Sequence, residues 1–256
     1  MDDRATYLYC IIHAVALAKN ARPPRGLPGS TRPSLLPVYK SVWIAVAEVP
    51  LDTYGPRALE TSLRDMQWVA DIAVAHEAVV EHFARRPGAT VIPMKLFTMF
   101  SAAERATAET RARRPDITLV LRRIAGCEEW GVRITRRPFS TPRGARIAGS
   151  SGVAFLAAKK RVRDEALDAI LAAAACAAGT FDSLAGISRD ARRREDAPKG
   201  AASPPLLDAV FLVPADRRGR FRSAARRLAA EAAGAGAEMT LSGPWPPYNF
   251  VDAEPA

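Results

Sequence analysis

The sequence predicts an α+β protein of two domains, the first over residues 1–125 and the second over residues 126–256. Three observations lead there. Runs of β-branched and aromatic residues recur in both halves, amphipathic stretches of helical period separate them, and each half carries its own order of strands and helices. A chain of 256 residues with 48% hydrophobic side chains has the length and apolar content for two such cores.

In the first half, "TYLYCII" at 6–12 and "SVWIAVAEV" at 41–49 read as central strands. The Pro-, Gly- and Arg-rich "KNARPPRGLPGSTRPSLLP" between them reads as one long exposed loop. From Arg57 to Arg86, Leu59, Leu63, Met66, Ala70, Ala73, Val80 and Phe83 recur at three- and four-residue steps. That spacing predicts one long helix, with His76 on its buried stripe. "ATVIPMKLFTMF" at 89–100 reads as a further strand in which Pro93 marks an edge or a bulge. Ser101 and Glu104 have the spacing of a capping box. The helix they start runs to about Arg114, and Pro115 breaks or kinks it before "DITLVLRRIAG" continues to Gly126.

In the second half, Trp130, Val132 and Ile134 alternate with Glu129, Gly131 and Arg133, as in a strand with one buried face. An Ala-rich helix follows from Gly152 to Ala178, then a short strand in "TFDSLAGIS". After it come the strand "LLDAVFLV", the basic amphipathic helix "DRRGRFRSAARRLAAEAA" and the closing strand "AEMTLSG". Strand, helix, strand, strand, helix, strand is the order of a ferredoxin-like unit, whose right-handed crossovers place both helices on one face of an antiparallel sheet. Basic segments near 136–151 and 192–205 read as flexible loops. The apolar, Pro-rich "LSGPWPPYNFV" cannot form helix, so Trp245, Tyr248 and Phe250 read as anchors laid back across the second domain.

The net charge of +10 and pI near 10.1 invite nucleic acid, an anionic surface or an acidic protein as partner. Yet 31 of the 37 basic residues are Arg and lie beside long Ala runs, a bias that GC-rich coding produces without selection for anion binding. The alternative, a basic nucleic-acid-binding module on a ferredoxin-like fold, calls for paired aromatics on the exposed sheet face, and "EEWGVRIT" and "LLDAVFLV" lack that pattern. Cys10, Cys127 and Cys176 are odd in number, far apart and set in apolar stretches, as in a reducing compartment. The acidic start and His13 argue against a signal peptide, and no uninterrupted apolar run approaches the roughly 18 residues of a membrane span. The expectation is a soluble, cytosolic protein. No phosphate loop, dinucleotide Gly pattern, HExxH or paired-Cys metal motif occurs, and "GSSG" at Gly149–Gly152 reads as a helix-initiating turn. No enzyme, cofactor, metal or small-molecule substrate is expected.

Several strings together resemble the gas vesicle protein L/F family (GvpL/GvpF): "YLYCII", "GLPG", "VPLDTYG", "WVADIAVAHEAVV", "VIPMKLFTMF", "GCEEWGVRI", "GVAFLAAKK" and "GPWPPYNFV". They follow the family's order along nearly the entire chain. The resemblance implies two α+β domains, the second a modified ferredoxin-like fold. It also implies a non-catalytic accessory or minor structural protein of gas vesicles, cytoplasmic during assembly, that contacts the small hydrophobic shell protein and other accessory proteins. The chain departs from the commoner form where a Gly is often found and Phe97 stands here, and in the Arg/Pro insertions at 136–151 and 192–205. Shielding an apolar subunit takes apolar area on a charged body, for which the exposed parts of Phe97, Phe100, Trp245, Tyr248 and Phe250 are candidates, internal packing being the alternative for each. The basic face of the Arg217–Arg227 helix is a candidate for acidic accessory proteins.

Overall fold

The computed structural model describes residues 3–15, 23–137, 152–194 and 204–252. The chain divides into two compact units, one made of residues up to Glu128 together with the segment from Trp245 onward, the other of Glu129–Pro244. The sequence expectation kept residues 126–256 together, whereas Trp245, Tyr248 and Phe250 belong with the first unit. The basic segments at 138–151 and 195–203, and with them the "GSSG" turn, lie outside the described residues.

The first unit is built on a sheet of β1 (Arg4–His13), β2 (Ser34–Tyr39), β3 (Val42–Pro50), β4 (Thr90–Pro93) and β5 (Met99–Phe100). Its order is β2-β3-β1-β4, with β5 also on β1, and every pairing is antiparallel. β2 was missed in the sequence because Pro37 and the preceding Pro/Gly run mask a strand that pairs only with β3. The loop before β2 is not uniformly exposed: Leu27 is buried, and its N–H donates to the Tyr9 hydroxyl at 3.0 Å. A Cβ on Gly26 would fall 2.3 Å from that hydroxyl oxygen, so only glycine admits this approach.

β1 carries a register shift between Leu8 and Cys10. The irregularity lets Tyr7, Tyr9, Cys10, Ile12 and Ala14 all join one core cluster, which strict alternation forbids. That cluster is covered by α3 (Met66–Ala84) through Ile72, Val79, Val80 and Phe83. The single helix expected over 57–86 is in fact two, α2 (Pro56–Ser62) and α3, separated at Leu63–Asp65, and a short α1 (Leu51–Tyr54) precedes them. The Asp65 carboxylate caps α3 by accepting from the N–H groups of Gln67 and Trp68. Met66, expected inside, is 74% exposed, because the break resets the helical phase.

α4 (Ala103–Ala112) contacts β1 and β2, and α5 (Arg114–Ile124) contacts β4; the break between them falls at Arg113, just before Pro115. The expected capping box is absent, since α4 begins one residue late, with Ala102 at the cap and no side-chain bond.

The second unit contains β6 (Cys127–Arg136), α6 (Gly152–Ala185), β7 (Asp190–Arg193), β8 (Leu207–Pro214), α7 (Arg218–Gly234) and β9 (Ala237–Trp245). The order β7-β8-β6-β9 is that of a ferredoxin-like sheet. Trp130, Val132 and Ile134 from β6 and Ala209, Phe211 and Val213 from β8 meet Ala173, Ala177 and Leu184 of α6 and Phe221, Ala225 and Leu228 of α7. On the alternate positions of β8, the buried Asp208 carboxylate receives both Arg133, at 2.6 Å, and Arg194.

Two expectations fail here. "TFDSLAGIS" is the last turn and end of α6, and the second strand of the unit is the polar "DARR" of β7. Thr180 and Leu184 are buried one helical turn apart, which a strand reading of the same residues cannot reproduce. Although no uninterrupted apolar run is long, the stretch Leu156–Ala185 is apolar enough over a helical window to cross a membrane by length and composition, because Ala dominates it.

Candidate functional site

The strand expected over 89–100 is interrupted. β4 pairs with Cys10–His13 and β5 with Thr6–Tyr7, both along the same side of β1, and residues 94–98 form a turn between them. Backbone bonds from Met94 N–H to the Tyr9 carbonyl (3.0 Å) and from Leu8 N–H to the Thr98 carbonyl (2.9 Å) hold its two ends. At its tip Phe97 has φ of 64°, the left-handed region that glycine favours and a bulky residue rarely enters. Its ring stacks on Trp68 of α3 with centroids 5.9 Å apart and planes within 2°. Its N–H donates to the Tyr7 hydroxyl at 3.3 Å. Stacking and backbone bonding together hold a conformation that costs on the order of 1–3 kcal/mol.

Beneath the turn lies a buried polar cluster. The Tyr7 hydroxyl, which accepts from the Phe97 N–H, is also hydrogen-bonded to Nδ1 of His76 at 2.8 Å. Tyr9 and Tyr248 pack around the same imidazole, with centroids 5.6 and 6.5 Å from it. The Tyr248 hydroxyl donates to the Glu77 carboxylate, and Arg123 of α5 donates to the carbonyls of Phe250 and Asp252. These bonds pin the C-terminal segment within the first unit, and Phe250 is fully buried there.

Burial governs the protonation of this cluster. It lowers the His76 pKa to about 4, pushes the Tyr7 hydroxyl and the Cys10 thiol up, and raises Glu77 against the opposing hydrogen bond from Tyr248. Burial, together with the carboxylate beside it, also raises Tyr248. The Tyr7 and Tyr248 hydroxyls and the Cys10 thiol therefore keep their protons at neutral pH, while His76 is the neutral imidazole. Among the described residues no three His, Cys, Asp or Glu side chains group as a metal ion requires.

Of the five residues singled out in the sequence, Phe97 and Phe100 are half-buried near the turn, Trp245 is 43% exposed, Tyr248 is half-buried and bonded to Glu77, and Phe250 is wholly interior. Trp68, Tyr7, Glu77 and Arg123 were not singled out. Their partners stand 29 to 171 residues away, so no local spacing signals them, although the half-turn periodicity of α3 does place Trp68 and His76 on neighbouring faces. On the other side of the turn, Met94, Lys95 and Thr98 edge a cavity of about 260 Å³ floored by Ile11, Ile92, Ile117 and Val120.

The described residues form two α+β units, the second a ferredoxin-like sheet with an aromatic and alanine core, a fold that does not by itself fix a function. The profile of the gas vesicle synthesis protein GvpL/GvpF family matches residues 5–252, and the chain belongs to that family. Gas vesicle protein L of Streptomyces sp. (strain CB03234) is 28% identical over 263 residues, covering 97% of this chain and 93% of that protein. The crystal structure of the gas vesicle protein GvpF from Anabaena sp. PCC7120 superposes with a TM-score of 0.68 at 13% identity, over 97% of this chain and 96% of that one. GvpF from Microcystis aeruginosa superposes with a TM-score of 0.63 at 12% identity, over 97% and 99% of the two chains. These likenesses carry the fold, and family membership carries a role in gas vesicle assembly.

Proposed function

We propose that this protein is a non-catalytic accessory factor that binds the small hydrophobic shell protein in the cytoplasm and delivers it to the growing gas vesicle. The observation that carries this reading is Phe97, a half-buried aromatic side chain stacked on Trp68 at the tip of a turn, in a backbone conformation that suits glycine. A strained, half-exposed aromatic at a surface turn points to use, since a glycine there would relieve the strain. Phe100 lies just past the same turn, and the cavity edged by Met94, Lys95 and Thr98 of that turn, lined by Ile11, Ile92, Ile117 and Val120 as well as by Arg113, Asp116 and Asp252, has room for a side chain of the subunit. Trp245 adds exposed aromatic area, whereas Tyr248 and Phe250 hold the segment in place. The exposed Arg220, Arg222 and Arg226 of α7 suit acidic accessory proteins.

The test is co-purification with the shell protein, with melting followed in parallel. Phe97→Ala and Phe97→Gly both lose shell-protein capture by tenfold or more. Phe97→Gly keeps the wild-type melting temperature to within a few degrees, because relief of left-handed strain offsets the lost stacking. Undiminished capture by both variants would remove the turn from the contact.

A further inference from the structure

The helix layer of the second unit is open at one end. Where α6 finishes, Asp182, Ser183, Gly186 and Ile187 line a groove whose other wall is Arg220, Ser223, Ala224 and Arg227 of α7. The four α7 residues stand at i, i+3, i+4 and i+7, so they share one face of the helix. Phe221, Ala225, Leu228 and Ala232 are its buried face, and the row lies on the flank toward α6. Arg222 and Arg226 lie about 130° around the axis from Arg220 and Arg227, on the other flank. The walls stay apart because Ser183, Gly186, Ser223 and Ala224 are too small to interdigitate.

Charge is divided between the two walls. Arg220 and Arg227 are exposed and lie two turns apart, about 10 Å along the axis. Arg217 continues the row and donates to the Ile187 carbonyl at 3.3 Å. The opposite wall carries the exposed Asp182 and the carbonyl end of α6, which has no basic residue in its last turn. Between them the buried Ile187 and the half-buried Ala224 form an apolar floor. We propose, resting on the accessory role given above, that this groove receives an acidic amphipathic helix of an accessory protein. Its apolar stripe lies on Ile187 and Ala224, and carboxylates at seven-residue spacing meet Arg220 and Arg227. Arg227 already holds Glu231 one turn on, but that pair is exposed and weak, and the guanidinium has donors for a second carboxylate. A nucleic acid fits less well. Asp182 and the carbonyl end of α6 repel a phosphate backbone, and none of the described residues lining the groove is aromatic to stack a base.

Fluorescence anisotropy on the full chain tests this with a labelled peptide of about 18 residues, made of Ala, Leu and Glu with its acids along one edge of the helix. The wild type binds the peptide, and added salt weakens the binding. A scrambled peptide of the same composition, its acids spread around the helix, binds about tenfold more weakly. Arg220→Glu with Arg227→Glu lowers the affinity for the patterned peptide by about tenfold or more. Lys159→Glu with Lys160→Glu changes the net charge equally, at a site more than about 30 Å along α6 from Asp182, and leaves the affinity within about twofold. All four positions are exposed, so folding is retained and circular dichroism checks it. The Arg220 and Arg227 variant keeps shell-protein capture through the Phe97 turn, so a failure of the groove and a failure of the assembly reading are told apart. Equal losses in the two variants, or a scrambled peptide bound as tightly as the patterned one, overturn the proposal. So does an oligonucleotide of the same charge bound more tightly than the peptide, or a wild type that leaves the peptide free at about 100 µM.

Discussion

The two units solve the problem of a small core in opposite ways. The second fills the space between sheet and helices with alanines and four aromatics, Trp130, Phe181, Phe211 and Phe221, whose rings approach one another at 5.6 to 5.9 Å. Of its two buried carboxylates among the described residues, Glu129 and Asp208, the latter is neutralised by two half-exposed arginines. The first unit instead buries hydroxyls, an imidazole and a carboxylate around Tyr7, His76, Glu77 and Tyr248, and recruits chain from beyond β9 to finish the cluster. An apolar core tolerates local adjustment, whereas a polar one holds its members in fixed places because each lost partner leaves a buried group unsatisfied. The rigid, apolar C-terminus is thereby explained: it completes the first unit through the buried Phe250 ring and the bonds to Glu77 and Arg123.

The largest expected effect sharpens that contrast. Phe250→Ala removes a fully buried ring and costs about 3–5 kcal/mol, and hydrogen exchange localises the loss to the first unit while amides of β8 in the second keep their protection. A loss shared equally by both units breaks the comparison.

Acid is the next probe. His76 has its pKa lowered to about 4 in the folded protein, so between pH 6.5 and 4 the unfolded state binds the extra proton and stability falls as pH falls. The resulting destabilisation is absent above pH 7 and reaches its full size, about 3 kcal/mol, below pH 4. Glu77 is shifted upward and works in the opposite sense, so the wild-type slope is shallower than the His76 contribution alone. Urea titrations at pH 7, 5.5 and 4 therefore show a steeper acid loss in the wild type than in His76→Gln; equal slopes would remove the imidazole from the buried cluster.

The smallest effect belongs to the second unit. Asp208→Ala costs about 1–3 kcal/mol, because Arg133 and Arg194 reach water once their partner is gone. Its midpoint shift keeps the same sign from pH 6 to 8, in contrast with the acid response of the first unit.

Much of the second unit was legible in the sequence because β6 and β9 alternate, β8 is a short continuous apolar run and α7 carries a helical period. β7 was not, since Asp190, Ala191, Arg192 and Arg193 are held as a strand by backbone pairing with β8 rather than by their own composition. The end of α6 was misread because Phe181 and Leu184 suit either element until the sheet is present to choose. In the first unit the division of one apolar run into β4, turn and β5 follows from the irregularity of β1 and from the Tyr7 hydroxyl, neither of which is local to that run. Phe97 and Phe100 were singled out as apolar candidates, but the left-handed backbone that gives Phe97 its meaning has no sequence signature of its own.

The most direct test of the account places a photo-crosslinking residue at position 97, and in a separate protein at position 250, then irradiates each with the purified shell protein. The account predicts a shell-protein adduct from position 97 and none from position 250. An adduct from position 250 with none from position 97 would contradict it, since the C-terminal segment would then have to leave the first unit to meet its partner.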